Sequence, residues 1–589
     1  MGFKKSIILI ILILSICNLG ISSASTSLES TYITGFFVES KEGLPQFTIV
    51  ADGTIEDYRV FTLKDPARIV IDVFNTKLAT PTDSLNIQSK MLQRVRVGKY
   101  PDKVRFVLDS PLEEPPSFNI NFGKNESTSE KIVSTKETKG LKEISSQEIG
   151  KKSPEKKRLK NFLPDKTQLR IWLKGAADIN KDDAIESQYL FRNRTYMEFK
   201  WSDLFGLNAL ASGRVDYLRF TNGHGFDETD LEPMELYLEY AGKSFDFRVG
   251  NLILRWGKTD EISPVDNVNP QDMRELFALN LEDRKLPLPM ARARWHFPGY
   301  TVEGIFIPHF EPNRFNYFDT DWAFFRHLKG SITSMDITPQ LKDYVKNLSV
   351  KEDKPNVSLK NSEVGIRFLG TVRNFDFGLS AFYTRNRTPS IKSFPVKNLR
   401  LTSFEEDEFI DQLSKLTLTN EDIIAEFKRQ TIFGLEFETT VNSFGLRGEM
   451  AYFTDQSLIT NNLTSTKKPV LHWVLGMDKS FNHDFYVNLQ VSQRIIRDYD
   501  SSILFFKRVD TAGFLRLSKE FLRGKLKGRL DTYHSFSDDS TYFTPEIEYA
   551  VNSNLSFILG LNLIDGRPDT FLGQYDDNDQ VYLSVLFIY

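Results

Sequence analysis

The 589-residue chain has a single cysteine, Cys17, and only seven histidines. A disulfide framework is therefore excluded, and so is a cysteine-ligated zinc or iron–sulfur centre. No run of 18 apolar residues occurs, which excludes a helical membrane protein. Neither sign of charge dominates. The net charge is −4, so the chain as a whole is no nucleic-acid binder. Catalytic patterns are missing as well: there is no His-x-x-x-His pair, no Gly-x-Ser-x-Gly elbow, no P-loop and no dinucleotide fingerprint. The one adjacent acid–base pair, His483-Asp484, reads as a turn former. A non-enzymatic protein with no cofactor and no metal is expected. Methionine is scarce, at 9 residues, but aromatics reach 13%, with 48 Phe and 21 Tyr. That surplus suits strands and membrane interfaces better than helix bundles.

The first residues read as a secretory signal. Lys4 and Lys5 precede an apolar run from Ile7 to Ile16, and Ser22-Ser23-Ala24 offers small residues for cleavage. The apolar core is shorter than the roughly 20 residues a spanning helix needs. Three segments follow this signal peptide (1–24): a small β domain (25–122), a flexible charged linker (123–165) and a large β domain (166–589). The linker holds 11 basic and 7 acidic side chains and few aromatics. Its basic run at 151–160 would either meet anionic headgroups or simply keep a tether soluble.

The N-terminal segment alternates apolar clusters with turns, and about 95 residues suffice for one β-sandwich core. Its stretch Asp57-Tyr58-Arg59-Val60-Phe61-Thr62-Leu63-Lys64-Asp65-Pro66-Ala67-Arg68-Ile69-Val70-Ile71-Asp72-Val73 resembles the core of an AMIN domain. Arg94-Val95-Arg96-Val97-Gly98 and Val104-Arg105-Phe106-Val107-Leu108-Asp109 resemble its second half. The resemblance implies a periplasmic module that binds peptidoglycan, of the kind found on cell-wall amidases and pilus secretins. Lys90, Arg94, Arg96, Lys99, Lys103 and Arg105 stand against one nearby acid, Asp102. Such a field suits the carboxylates of wall peptides, or else it is a solvated strand face.

Residues 166–589 alternate over segments of about ten. Val581, Leu583, Val585, Phe587 and Tyr589 share one face, while Gln580, Tyr582, Ser584 and Leu586 share the other. Leu555–Leu563, Phe485–Val491 and Phe375–Ala381 behave alike. One apolar face and one polar face over this length is the pattern of a transmembrane β-barrel. Eighteen strands are predicted, near 168–179, 187–200, 207–220, 232–241, 245–256, 289–297, 300–308, 361–371, 374–385, 429–441, 444–454, 471–480, 484–496, 509–519, 525–536, 541–551, 554–565 and 579–589. Short turns then alternate with long connections at 257–288, 309–360, 386–428 and 455–470, as in an outer-membrane barrel with both ends in the periplasm. The expected fold class is all-β: a small β-sandwich followed by a large antiparallel barrel in outer-membrane lipid. Val585, Phe587 and the terminal Tyr589 resemble the signal read by the bacterial barrel-assembly machinery.

The stretch Arg248-Val249-Gly250-Asn251-Leu252-Ile253-Leu254-Arg255-Trp256-Gly257-Lys258-Thr259-Asp260-Glu261-Ile262-Ser263-Pro264-Val265-Asp266-Asn267-Val268-Asn269-Pro270-Gln271-Asp272, with Leu286-Pro287-Leu288-Pro289-Met290 beyond it, resembles a family of uncharacterised porin-like proteobacterial barrels. That resemblance implies fold and location more than activity. The loop carries Asp260, Glu261, Asp266, Asp272, Glu275, Glu282 and Asp283. Strand parity turns Arg170, Lys174, Arg192, Arg194, Arg214, Arg248, Arg292 and Arg294 inward, since Arg on the lipid face costs about 2–4 kcal/mol at mid-membrane. The pattern is either an acidic eyelet against a basic wall or a set of braces filling a closed barrel. No 12-residue calcium-loop pattern appears. The leading expectation is a porin-like passive channel anchored to peptidoglycan. The alternative is a plugged, non-conducting anchor between membrane and wall. A barrel enzyme and a multi-chain secretin-like pore rank behind both.

Overall fold

In the computed structural model, the described residues are most of 31–124 and of 163–589. Short stretches are excluded within the first unit, and in the second around 180–188, 222–225, 326–338, 403–421 and 482–483. The expected signal peptide, most of the linker, Lys90 and His483 therefore lie outside the described residues, as do the side chains of Lys99 and Lys103. The chain divides into two compact units, Met1–Lys152 and Ser153–Tyr589.

Among the described residues, the first unit has nine strands: β1 (Thr31–Lys41), β2 (Leu44–Ala51), β3 (Tyr58–Leu63), β4 (Arg68–Phe74), β5 (Thr76–Leu78), β6 (Ser84–Asn86), β7 (Arg94–Lys99), β8 (Lys103–Asp109) and β9 (Asn119–Lys124). They form one sheet in the order β5-β1-β2-β9 and another in the order β3-β4-β8-β7-β6. Ile33, Phe47 and Ile49 of the first sheet pack with Ile69, Ile71, Val73, Val95, Phe106 and Leu108 of the second. The result is the expected sandwich. The last strand runs to Lys124, two residues past the expected domain end.

The second unit contains β10 (Lys166–Asp178), β11 (Tyr189–Leu204), β12 (Leu207–Thr221), β13 (Phe226–Ala241), β14 (Phe245–Leu252), β15 (Leu288–Phe297), β16 (Tyr300–Ile307), β17 (Val350–Asp353), β18 (Glu363–Val372), β19 (Phe375–Arg385), β20 (Ser390–Ser393), β21 (Val396–Lys397), β22 (Thr417–Leu418), β23 (Ile423–Glu426), β24 (Arg429–Val441), β25 (Phe444–Ile459), β26 (Ser465–Phe481), β27 (Phe485–Ile496), β28 (Val509–Phe521), β29 (Leu526–Ser535), β30 (Ser540–Ala550), β31 (Leu555–Asp565) and β32 (Gln580–Ile588). β17 and β20–β23 belong to loops. The other eighteen close into one antiparallel barrel, sealed by β10 against β32 from Arg170↔Ile588 to Asp178↔Gln580. Closure removes the sheet edges that hydrocarbon would leave unsatisfied.

Alternation sorts the side chains. Leu236, Val249, Leu379, Leu435, Leu475, Leu559 and Leu583 face outward and are exposed. Lys174, Arg192, Asn488, Gln490, Asn562 and Ser584 face inward and are buried. Aromatic side chains flank the short turns on the outside, among them Tyr240, Phe297, Tyr300, Phe375 and Phe481. This apolar band with aromatic girdles makes the unit a membrane-spanning barrel. The turns are tight because their residues accept positive φ: Asn442 and Ser443, at +48° and +67°, match the twist of a two-residue hairpin.

Two expected boundaries are corrected. The 455–470 connection is not long, because a bulge between Phe453 and Gln456 lets β25 and β26 keep pairing out to Ile459↔Ser465. The strand expected at 245–256 stops at Leu252. There the chain leaves the wall and turns into the lumen, so the loop begins at residue 253 and ends at 287.

Candidate functional site

The loop at 253–287 is stapled at its neck by Asn269. Its side chain accepts from the Leu254 N–H at 2.8 Å and donates to the carbonyls of Leu252 and Leu286 at 2.9 and 2.8 Å. Leu286 N–H also donates to the Pro270 carbonyl. Asp266 accepts from the buried Lys285 ammonium at 2.6 Å. Trp256 lies buried against Phe382 and donates to Glu303 at 2.7 Å. Gly257 has φ +104°, and a Cβ there would lie 2.5 Å from Glu449 Oε1, so only glycine fits. The motif residues thus fold the loop inward and hold it there.

Beyond the neck the loop bridges the lumen. On one side Asp272 and Glu275 enter a buried cluster on β10–β12. Arg192 donates to Asp216, Asp272 and Glu275 at 2.5–2.9 Å. Arg194 reaches Asp272 at 2.7 Å, Lys174 reaches Glu275 at 2.6 Å, and Arg170 reaches Asp283 at 3.0 Å. Arg274 joins Asp272 and Asp216 to Glu228 and Asp230 of β13. On the opposite side Glu449 of β25 accepts from the N–H groups of Lys258, Thr259 and Val265 and from the hydroxyls of Thr259 and Ser263, at 2.6–3.0 Å. Asp260 meets Arg447 at 2.9 Å and Glu261 meets Arg516 at 2.6 Å.

Part of the expected basic wall has other partners. Arg214 pairs with Glu232, Arg248 with Glu239, and Arg292 and Arg294 with Asp246. These acids lie on neighbouring strands of the wall itself, and among the described residues no ion pair joins the four arginines to the acids of the loop. Of the expected acids, Asp260, Glu261, Asp272, Glu275 and Asp283 meet basic wall residues, Asp266 pairs within the loop, and Glu282 is 87% exposed. Sequence reasoning missed Glu449 and Asn269. An inward acid on β25 with no basic residue opposite it was the available signal for the first.

Two apolar clusters fill parts of the lumen, one of them joining Leu276 and Trp322 to Leu190, Leu218, Phe220, Ile564 and Tyr582 of the wall. Leu254, Trp256, Val265 and Val268 of the loop pack with Met290, Ile305, Phe382, Ile432, Phe453 and Val470 of the wall. Between the loop and the wall from β26 round to β32 and β10, a cavity of about 660 Å3 remains. Its lining mixes arginines, carboxylates and aromatic rings.

In the first unit, Arg96 grips Asp109 with two hydrogen bonds of 2.7 and 2.9 Å, and Arg94 reaches the same carboxylate at 3.3 Å. Burial pushes the Asp109 carboxyl up, but the hydrogen bonds and charges of Arg96 and Arg94 outweigh that and hold it below its ordinary range. Arg105 makes a bidentate pair with the buried Asp72. The expected field of six basic residues is therefore partly neutralised by acids that strand pairing brings alongside. Val585 and Phe587 lie on the outward row of β32, and Tyr589 is exposed beside the seam, exchanging two backbone hydrogen bonds with Leu169.

The comparisons agree with both units. Residues 46–135 match the AMIN domain, and residues 221–502 match the family described as "Protein of unknown function (DUF1302)". The chain carries an AMIN domain followed by a DUF1302 region. The DUF1302 region includes the whole inward loop. No curated protein matches the chain. Among solved structures, Acinetobacter baumannii OccAB4 is 10% identical with a TM-score of 0.40, over 73% of this chain and 99% of its own. Pseudomonas aeruginosa OccD3 (OpdP) is 7% identical with a TM-score of 0.39, over 72% and 92%. The outer membrane protein opdK from Pseudomonas aeruginosa is 9% identical with a TM-score of 0.38, over 73% and 100%. Likeness at this level says nothing about solute or activity. A closed barrel with an apolar exterior, preceded by an AMIN domain, is an outer-membrane protein with its N-terminal domain in the periplasm.

The connection at 566–579 gives one pH prediction. Burial and the charges of Asp565, Asp577 and Asp579 push the Asp576 carboxyl up to about 6. The folded loop then binds a proton more readily than the unfolded chain, so docking weakens as pH rises from about 4 to about 6. This segment meets the loop around Trp322 through Tyr575 and through Asn578, whose amide donates to the Asp321 carbonyl. Amides 573–578 are expected to exchange faster at pH 7 than at pH 5 after correction for intrinsic rates. Asp576→Asn should flatten that dependence.

Proposed function

We propose that the barrel is a passive, porin-like channel for small solutes, narrowed by the loop at 253–287, and that the AMIN domain ties it to peptidoglycan. The observation that carries the reading is the cavity of about 660 Å3 left between the loop and the β26–β32 wall. A lumen built only as a plug would close that space, as it closes around the apolar clusters at Trp256 and at Leu276. Charged groups line the open side, and a polar lining suits an aqueous path. The segmentation follows the same reading: signal peptide at 1–24, wall-binding domain at 25–122, tether at 123–165, channel at 166–589. On the first unit Arg94, Arg96 and Arg105 keep partly exposed guanidinium faces that a wall-peptide carboxylate could share with Asp109 and Asp72.

The plugged-anchor reading rests on the apolar clusters of the lumen and on the paired charges of Asp272 and Glu275. Planar-bilayer recording of the full chain separates the two. Steady unitary currents are expected, of modest size because the loop takes up much of the bore. A silent bilayer, with protein shown to be inserted by protease protection, would favour the anchor. A pull-down on purified peptidoglycan tests the tether and should fail for a chain lacking residues 25–122.

A further inference from the structure

A row of basic side chains lies on the outward face of the barrel, at the end that carries the long connections. Arg385 ends β19 and stands directly opposite Arg429, which begins β24. Both keep the outward parity of the exposed Tyr383 and Phe433. Ile432 of β24, Phe453 of β25 and Val470 of β26 lie on one line across the sheet. Arg429 and Lys467 each stand three residues before that line, so they share a height, two strand spacings or roughly 10 Å apart. Lys467 is exposed and has the parity of the exposed Leu475. Like charges set side by side repel, and these are not neutralised. Arg385 donates to the Phe427 carbonyl at 2.7 Å and to Asn361 Oδ1 at 2.8 Å. Arg429 donates to the Ser362 and Lys360 carbonyls at 3.0 and 2.9 Å. Neutral acceptors fix the guanidinium groups without cancelling their charge, and the exposed Lys360 adds another. The neighbouring acids are engaged elsewhere. Glu426 pairs with Lys428, while Glu363 turns inward to Arg387 and meets Arg385 through its backbone N–H. Asp455, in the β25 bulge, forms no ion pair with the row. Other outward positions at this end are acidic: Asp227 stands opposite Arg219, and Asp539 and Asp565 are exposed. The basic row is therefore local, not a belt.

Below the row, toward the middle of the membrane, the wall is apolar. Val364, Ile366, Tyr383 and Phe433 are exposed there, and the Arg429 guanidinium lies over the Tyr383 ring at 4.8 Å. Val357 and Leu359, 75% and 84% exposed, stand beside Lys360 in the segment that leads into β18. Aliphatic side chains this bare are disfavoured in water and suited to acyl chains. Guanidinium forks above an apolar band match a lipid with phosphate in its headgroup. At this end of an outer-membrane barrel the surrounding leaflet holds a phosphorylated glycolipid, lipid A.

We propose that Arg385, Arg429, Lys360 and Lys467 dock the phosphates of lipid A, with Val357, Leu359 and Phe433 against its acyl chains. The proposal stands on the barrel's place in the outer membrane and is independent of whether the lumen conducts. The full chain in detergent is mixed with diphosphoryl lipid A, and native mass spectrometry reads the share of protein carrying one lipid as lipid concentration rises. Monophosphoryl lipid A, phosphatidylethanolamine and inorganic phosphate serve as comparisons. Diphosphoryl lipid A should bind saturably and at least tenfold more tightly than phosphatidylethanolamine, with the monophosphoryl form between them. The double variant Arg385→Gln with Arg429→Gln should weaken it roughly tenfold or more, since each basic residue near a headgroup contributes separately. Lys467→Gln and Leu359→Ser should each weaken it several-fold, and Arg429→Lys less than Arg429→Gln. Lys479→Gln, at the periplasmic end of β26, should leave it unchanged. Heat-modifiable gel mobility reports whether each variant is folded. Equal binding of diphosphoryl lipid A and phosphatidylethanolamine overturns the proposal, as does wild-type affinity in the folded double variant. Displacement of the lipid by inorganic phosphate would reveal a small-anion site and overturn it as well.

Discussion

A chain lacking residues 260–283, with its ends rejoined by a short glycine-serine bridge, is expected to conduct several-fold more than the intact protein in a planar bilayer. Eighteen strands enclose enough space for an aqueous lumen, and the loop is what crosses it. The excision removes the wall contacts made through Asp260, Glu261, Ser263, Val265, Asp272 and Glu275, together with the apolar packing of Val265 and Val268. The strands themselves lose no ladder hydrogen bond, because the loop contributes only isolated bridges. Ion selectivity should change with the size of the current. The segment takes away seven carboxylates and one guanidinium. Lys174, Arg192, Arg194, Arg447 and Arg516 would then face water instead of loop acids. The reversal potential in a salt gradient should move toward anion selectivity and be most marked at low ionic strength, where screening is weak. An unchanged conductance in a folded, inserted variant would mean that the loop does not limit the pore, and the eyelet reading would fall.

The strand framework was legible because period-two alternation is enforced by two different solvents. Each of the eighteen expected strands has a counterpart in the barrel, and the pairs of Leu489 with Gln490 and Leu583 with Ser584 show why. Hydrocarbon selects the first of each pair, and the lumen selects the second. Strand ends were less legible. β14 stops at Leu252 although Ile253 and Leu254 continue the apolar run, because Leu254 is spent on the lumen core rather than on the membrane. The sheet bulge that extends β25 has no signature in the alternation.

The loop was legible as charged and motif-bearing, but its pairing was not. Counting acids along the loop and arginines on the wall suggests two opposed sheets of charge. Registry decides otherwise for Arg214, Arg248, Arg292 and Arg294, which find acids one strand away, such as Glu232 and Asp246. The same geometry applies in the first unit, where Asp109 and Asp72 lie beside basic residues distant in sequence. Cross-strand neighbours depend on register, and a list of charges along the chain carries no register. Glu449 was missed for a related reason, since it accepts from backbone N–H groups and hydroxyls that a list of charges does not contain.

Arg192→Met is expected to lower the unfolding free energy by about 3–5 kcal/mol, the usual cost of breaking a buried ion pair from one side. Arg192, Asp216, Asp272 and Glu275 are completely buried, and Arg192 alone donates four hydrogen bonds to the three acids. Methionine fills much of the volume but leaves those oxygens to Lys174, Arg194 and Arg274. Because Asp272 and Glu275 belong to the loop, the loss should appear in two places at once: a lower urea midpoint for the barrel in lipid, and noisier single-channel traces as one footing of the loop loosens. Asp272→Leu should produce the same pair of effects. The double variant should cost clearly less than the sum of the singles, because the second change removes a charge that the first left unpaired. Lys351→Met provides the contrast. Its partner Asp422 is more than half exposed, and pairs of that kind contribute between 0 and about 1 kcal/mol. If Arg192→Met cost no more than Lys351→Met, the buried cluster would not be what holds the loop. The footing would then have to be sought at Glu449 and in the apolar packing around Trp256.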